Sequence, residues 1–479
     1  MSPGPPANDG VGTAGSTRPF VIALGAVTAA ALAIRIAFIV VVAPKVPALG
    51  DASAYHLLAE QLARGEGYIR PFDYLLLHLR RPTAEYPPLF PFVLSLAARA
   101  GAHSVEQQRI CTAFIGAGTV GLIGLLGRRI ASPVVGLIAA ALAAIYPMLF
   151  LGEATLMAES LYVALVTVVL LAAYRAFDDP KPGRFAVLGA AIGLATLTRA
   201  EGALLGVVVV VPLGFLLGRK PGDGREPLLG ARARTGRVAI ALGVALAVVA
   251  PWTIRNEIRF HRFVPVSNNI STLVDGANCD ATYHGPQIGL WRETFSQPDG
   301  GEASAATLPQ AQACFEGFDI ANPNFDEAAA ASMHTRAGLS YARQHLGALP
   351  KVSVVRVFRT WGLYAPRQQV DFESLEGRPR SWQMRGTIMY WILLPGAIVG
   401  AFLLRRRRRL LWPLLATAVT VTIVAAATYG QQRFRIAAEP AILVLAAVAA
   451  DAAAGALRAR ARNGSPEPGD PPGSEQVIG

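Results

Sequence analysis

Residues 20–42 read FVIALGAVTAAALAIRIAFIVVV, and a short connection then leads into Gly50-Asp51-Ala52-Ser53-Ala54-Tyr55. A run this long, apolar on every face, spans the hydrocarbon core of a bilayer, which takes about 20 residues of helix. It delivers the chain to the far side of the membrane, where Asp51 meets water, lipid headgroups and any lipid-linked substrate. Tyr86-Pro87-Pro88-Leu89-Phe90-Pro91 follows in the same loop. A carboxylate in that position suits a base working at a membrane surface.

The rest of the chain extends this reading. Of 479 residues 53% are hydrophobic and 16% charged, with a mean hydropathy of +0.40, and the apolar residues fall in separate long runs. A soluble protein of this length shows amphipathic helices instead, so soluble classes are excluded. The net charge of +12 has its densest block at Arg405 to Arg409, between two apolar runs, which is positive-inside anchoring rather than a nucleic-acid surface. The first span exceeds the roughly 7–15 residue core of a cleaved signal and is expected to be retained.

Further spans are expected at 109–127, 133–151, 154–174, 185–200, 202–218, 237–253, 386–404, 410–428 and 438–457, about ten in all. Basic residues then gather on one side, at Arg128 and Arg129, Lys181 and Arg184, Arg219 to Arg237, Arg405 to Arg409 and Arg458 to Arg462. This predicts cytoplasmic tails at 1–17 and 458–479, both disordered, a membrane core at 18–253 with an extracytoplasmic loop at 44–108, a second extracytoplasmic region at 254–385, and closing spans at 386–457. The first loop and its aspartate have no second copy, which disfavours a two-fold repeated transporter.

Asp51 precedes a short amphipathic stretch, Ala54 to Ala63, ended by Gly65 and Gly67 and expected to lie along the membrane. It reads equally as a helix cap and as a functional carboxylate. Glu159, inside the start of a span, is expected to face a polar cavity or to pair with an arginine. Glu153 is expected to be a solvated loop residue. Arg199, the Arg255 to Arg262 group, and Arg433 with Arg435 run against the positive-inside bias, and bind either a phosphate or headgroups. Cys279 and Cys314 are expected to form a disulfide, with Cys111 left inside a span. His261, His284, His334 and His345 lack zinc-ligand spacing.

Taken in order, Asp51 with Tyr55, the 86–91 segment, Arg199-Ala200-Glu201-Gly202, Pro251-Trp252-Thr253-Ile254-Arg255-Asn256, Phe263-Val264-Pro265-Val266-Ser267, and Arg433-Phe434-Arg435 with Pro440 resemble a known set of signatures. They are those of the GT-C superfamily of polyprenyl-phosphate-sugar-dependent glycosyltransferases, within it the family 39 and bacterial protein mannosyltransferase-like group. The resemblance implies an all-α polytopic membrane protein of the GT-C fold in the cell membrane, with two long extracytoplasmic loops and its active site on the outer face.

It also implies inverting transfer of a sugar from a polyprenyl phosphate to a hydroxyl. Asp51 is then the base and Glu159 the second candidate catalytic carboxylate. Arg433, Arg435, Arg255, Arg199 and Arg81 are candidates for the leaving phosphate, and Tyr55, Tyr86 and Trp361 for apolar faces. Protein mannosyltransferases usually carry an Asp-Glu pair here, whereas Ala52 follows Asp51, which leaves the acceptor open between glycan, lipid and protein. A divalent ion, magnesium or manganese, has a place if the fold brings Asp51 and Glu159 together. A transporter or flippase of a lipid-linked sugar, or a non-catalytic scaffold, are the alternatives.

Overall fold

The computed structural model describes residues 17–43, 50–217, 229–292, 314, 322, 325–374 and 376–463. The expected tails at 1–16 and 464–479 and the first part of the 219–237 loop lie outside these residues. Its principal helices are α1 (Thr17–Val41), α2 (Asp51–Ala63), α3 (Pro71–Leu77), α4 (Leu89–Arg99), α5 (Val105–Ile130), α6 (Pro133–Ile145), α7 (Pro147–Ala154), α8 (Glu159–Asp178) and α9 (Pro182–Thr198). They continue with α10 (Ala200–Leu216), α11 (Ala231–Phe260), α12 (Asn269–Ala277), α13 (Glu327–Gln344), α14 (Leu349–Thr360), α15 (Pro366–Ser374), α16 (Arg380–Arg406), α17 (Trp412–Ala427) and α18 (Glu439–Asn463). The all-α reading holds: among the described residues the β-structure is one bridge, between Ile69 and Pro82.

Six helices, α1, α5, α8, α11, α16 and α18, are long and apolar enough to cross a membrane, and α6 with α7 passes as one span bent by 48°. The bend has a local cause. Tyr146 precedes Pro147 and is extended (φ −79°, ψ 111°), as the proline ring requires of the residue before it. The remaining expected spans, at 185–200, 202–218 and 410–428, fall on the shorter apolar helices α9, α10 and α17. The helices pack by close backbone approach. A Cβ on Gly400 of α16 would collide with the Leu445 carbonyl oxygen of α18.

The basic termini share one end of the bundle. Arg129 of α5 pairs with Asp178 of α8, the Tyr174 hydroxyl donates to the Leu410 carbonyl at 2.8 Å, and Arg237 donates to the Pro180 carbonyl at 2.7 Å. Residues 458–463, expected in a disordered tail, instead complete α18. Their alternating Arg and Ala are good helix formers that extend a helix already nucleated by the span.

Glu153 also departs from expectation. It is a buried member of α7, not a solvated loop residue, and pairs at 2.9 Å with Arg35 from within α1. Arg35 also donates to the Ala31 and Ala144 carbonyls, both at 3.3 Å. A buried carboxylate needs such a partner, because the isolated charge would be strongly unfavourable in an apolar interior. Cys279 and Cys314 are joined in a disulfide, and Cys111 is free.

Candidate active site

At the end of the bundle opposite the basic termini, Asp51 is the first residue of α2. The capping position belongs to Gly50, whose φ of 50° suits a residue without a Cβ. The Asp51 carboxylate looks across to the neighbouring loop: the Tyr86 hydroxyl donates to Oδ1 at 3.0 Å, and Arg433 Nη1 to Oδ2 at 3.3 Å. α2 buries Ala54, Tyr55 and Leu58 in a cluster with Phe90 and Leu94 of α4 and Met157. Tyr55 packs edge-on to Tyr86 and Phe90, at centroid distances of 5.0 and 5.1 Å. It therefore supports the Asp51 partner from beneath.

Arg433 is the hub. Nη1 also meets Glu376 Oε2 at 3.0 Å, Nε donates to Gln431 Oε1 at 2.8 Å, and Nε lies 3.8 Å from Glu159 Oε1. Its backbone N–H donates to Glu373 at 3.0 Å. Burial alone would favour loss of the proton, but Glu376, Glu159 and Asp51 outweigh it and hold the guanidinium well above its ordinary range. Burial acts the other way on Glu376, pushing it up to about 7 against the pull of Arg433. Glu159, at the start of α8, also receives Arg199 Nη1 at 2.7 Å, and Arg199 pairs with Glu201 as well.

Other candidates are placed elsewhere. Arg435 is fully buried, donates to Glu439 at 2.7 Å and to the Thr360 carbonyl at 3.3 Å, and lies over the Tyr390 ring. Residues 432–437 form a 3₁₀ helix with about three residues per turn, so positions two apart point in different directions. Arg255 clasps backbone, donating to the Thr83 and Tyr68 carbonyls at 2.7 and 2.9 Å. Arg81 binds Asp73 at 3.1 Å and the Asn322 carbonyl at 2.6 Å. The Trp361 indole donates to Thr422 at 3.2 Å.

Several site residues carried no sequence signal. Arg378 pairs with Glu373 at 3.4 Å and, with Glu159, Gln432, Arg433 and Glu439, encloses a water-sized void of about 10 Å³. Glu373 and Glu376 lie in a polar stretch with no pattern to mark them. Glu85, beside Tyr86, is pushed up to about 7 by burial, against Arg70. Its neighbour in the quoted 86–91 segment was the available signal. A shared metal does not fit between Asp51 and Glu159, because the Arg433 guanidinium stands in contact with both. Among the described residues no three ligating side chains converge on a common point.

Residues 85–254 match the family model described as dolichyl-phosphate-mannose-protein mannosyltransferase. No curated protein sequence matches the chain. Among solved structures, the oligosaccharyltransferase AglB from Archaeoglobus fulgidus, in complex with an inhibitory peptide and a dolichol-phosphate, superposes with a TM-score of 0.53 at 14% identity over 95% of this chain and 53% of that one. Its apo form gives 0.53 at 14% identity over 93% and 52%. The chain thus spans about half the length of these archaeal enzymes. ArnT from Cupriavidus metallidurans, bound to undecaprenyl phosphate, gives 0.42 at 14% identity, over 94% and 82%. The chain is a membrane protein of the GT-C fold, and its residues 85–254 match the family model of the dolichyl-phosphate-mannose-protein mannosyltransferases.

Proposed function

We propose that the chain is a glycosyltransferase that moves a sugar from a polyprenyl phosphate to an acceptor hydroxyl at the extracytoplasmic face of the cell membrane. The observation that supports this best is the meeting of Asp51 and Arg433 at one end of the bundle, 3.3 Å apart. Asp51 takes the acceptor proton as the oxygen attacks the anomeric carbon from the face opposite the phosphate, so the product is inverted. General-base help of this kind contributes roughly 10²–10⁴-fold. The bond from the anomeric carbon to the phosphate oxygen breaks, and its electrons leave on the lipid phosphate. That anion needs positive charge rather than a proton, and Arg433 with Arg378 supplies it.

The likeness to an AglB structure holding a dolichol-phosphate supports a lipid phosphate as the donor's leaving group. The acceptor is a hydroxyl of a glycan, lipid or protein. The test is Asp51→Asn, which keeps size and polarity but removes the base. Release of undecaprenyl phosphate from a panel of undecaprenyl-phosphate sugars should fall by at least about 100-fold while binding of undecaprenyl phosphate persists. Turnover at the wild-type rate sinks Asp51 as the base.

A further inference from the structure

Among the links between the two long segments outside the bundle, one carboxylate gathers four hydrogen bonds. Glu327, in the first turn of α13, is buried and uses all four of its acceptor positions. Oε2 accepts from Thr83 Oγ1 at 2.7 Å and from Arg70 Nη1 at 2.9 Å, while Oε1 accepts from the Ala84 backbone N–H at 2.8 Å and from Asn268 Nδ2 at 3.1 Å. Asp326 caps the same helix, donating nothing and accepting from the Ala328 and Ala329 N–H groups at 2.9 and 3.1 Å. Glu327 is therefore held at a fixed place on a fixed helix end.

What it holds is the root of a hairpin. Residues 68–70 and 81–83 run antiparallel, with Arg70 N–H donating to the Arg81 carbonyl at 2.8 Å and Thr83 N–H to the Tyr68 carbonyl at 3.2 Å. Thr83 Oγ1 gives its hydrogen to Glu327 and accepts the Glu85 N–H at 3.0 Å, which fixes the backbone turn into Tyr86. The Tyr86 carbonyl is pinned in turn by the Tyr68 hydroxyl at 3.0 Å. From this fixed backbone the Tyr86 hydroxyl donates to Asp51 Oδ1 at 3.0 Å.

We propose that Glu327 is a positioning residue that acts through Thr83 and Tyr86 to set the Asp51 carboxylate, so that the segment carrying α13 must be seated for Asp51 to be held ready. This rests on the transferase reading for its purpose, but its geometry can be tested without turnover. The full chain in detergent is treated with a water-soluble carbodiimide and glycine methyl ester at fixed pH, and coupling at Asp51 is followed by mass spectrometry. Losing a hydrogen bond to a charged group should speed coupling at Asp51 about tenfold in Glu327→Gln and in Tyr86→Phe alike.

The double variant should couple no faster than either single one, because both remove the same link. Wild-type coupling in Glu327→Gln, or rates that multiply in the double variant, overturn the proposal. If Glu327→Gln does not fold, Thr83→Val removes one of the four bonds and carries the same expectation and the same non-additivity. Loss of the Asp51→Asn effect on turnover would instead defeat the transferase reading while leaving the coupling result standing.

Discussion

Arg433 Nη1 lies 3.3 Å from Asp51 Oδ2 across 382 residues of sequence, so the proposed phosphate ligand is already engaged by the proposed base. A donor phosphate arriving at Arg433 competes with Asp51, and its success frees a carboxylate to take a proton. Donor binding and activation of the base are then one event, which favours donor before acceptor.

This competition has a sign that can be measured. Asp51→Asn removes the competing charge and should bind undecaprenyl phosphate roughly two- to fivefold tighter than wild type, the size expected of a partly exposed ion pair. Weaker binding in the Asn variant would mean that Asp51 helps to form the phosphate site rather than contesting it.

Glu376 gives a pH dependence. Its folded-state value, pushed up to about 7 by burial, exceeds the ordinary glutamate range, so its contribution to stability is present below about 4.5 and is lost as the pH rises to about 7. Glu376→Gln should flatten this slope, and its melting temperature should gain on wild type between pH 5 and pH 8, within about that window. Parallel melting curves across that range would show that Arg433 keeps Glu376 ionised throughout.

The buried pair of Arg35 and Glu153 supplies a stability test away from the site. Glu153→Ala strands a guanidinium that is 1% exposed, and breaking such a pair typically costs about 3–5 kcal/mol. Arg35→Met combined with Glu153→Leu should recover most of the loss in thermal unfolding, since neither side then leaves a charge behind. A double variant no better than the single one would show that the carbonyl contacts of Arg35 matter more than its ion pair.

These cases show what was readable in the chain. Hydropathy located every helix long and apolar enough to cross a membrane, because a bilayer demands apolar runs whatever their partners. Asp51, Tyr86, Glu159 and Arg433, all singled out in the sequence, lie in one network of hydrogen bonds and ion pairs. Glu153 and Arg35 were not, since each looks unremarkable until the other is found 118 residues away. Arg435 looked equivalent to Arg433 because alternation in sequence suggests a shared face, and a 3₁₀ turn removes that equivalence.

The disulfide is tested by counting thiols. The chain has three cysteines, and Cys279 is bonded to Cys314. Denatured, unreduced protein should therefore take up alkylating reagent at Cys111 alone, and reduction should expose the other two. Alkylation of Cys279 and Cys314 without reduction would place that segment in a reducing compartment and argue against an extracytoplasmic site.

The two arginines of residues 433–435 should part company under substitution. Arg433 is aimed at Asp51, Glu376 and Glu159, so on the transferase reading Arg433→Ala should raise the donor KM about 10- to 100-fold, the loss of a charge-assisted hydrogen bond. Arg433→Lys keeps the charge but not the planar fork that contacts several oxygens at once, so it should fall between wild type and Ala. Arg435 is sealed against Glu439 and the Tyr390 ring, so Arg435→Ala should lower the melting temperature and expression and leave the donor KM of the surviving protein near wild type. Kinetics of the purified variants against a common undecaprenyl-phosphate sugar decide it. A donor defect in Arg435→Ala with an unaltered melting curve would transfer the phosphate site to the interior face of the 3₁₀ helix and remove Arg433 from the chemistry.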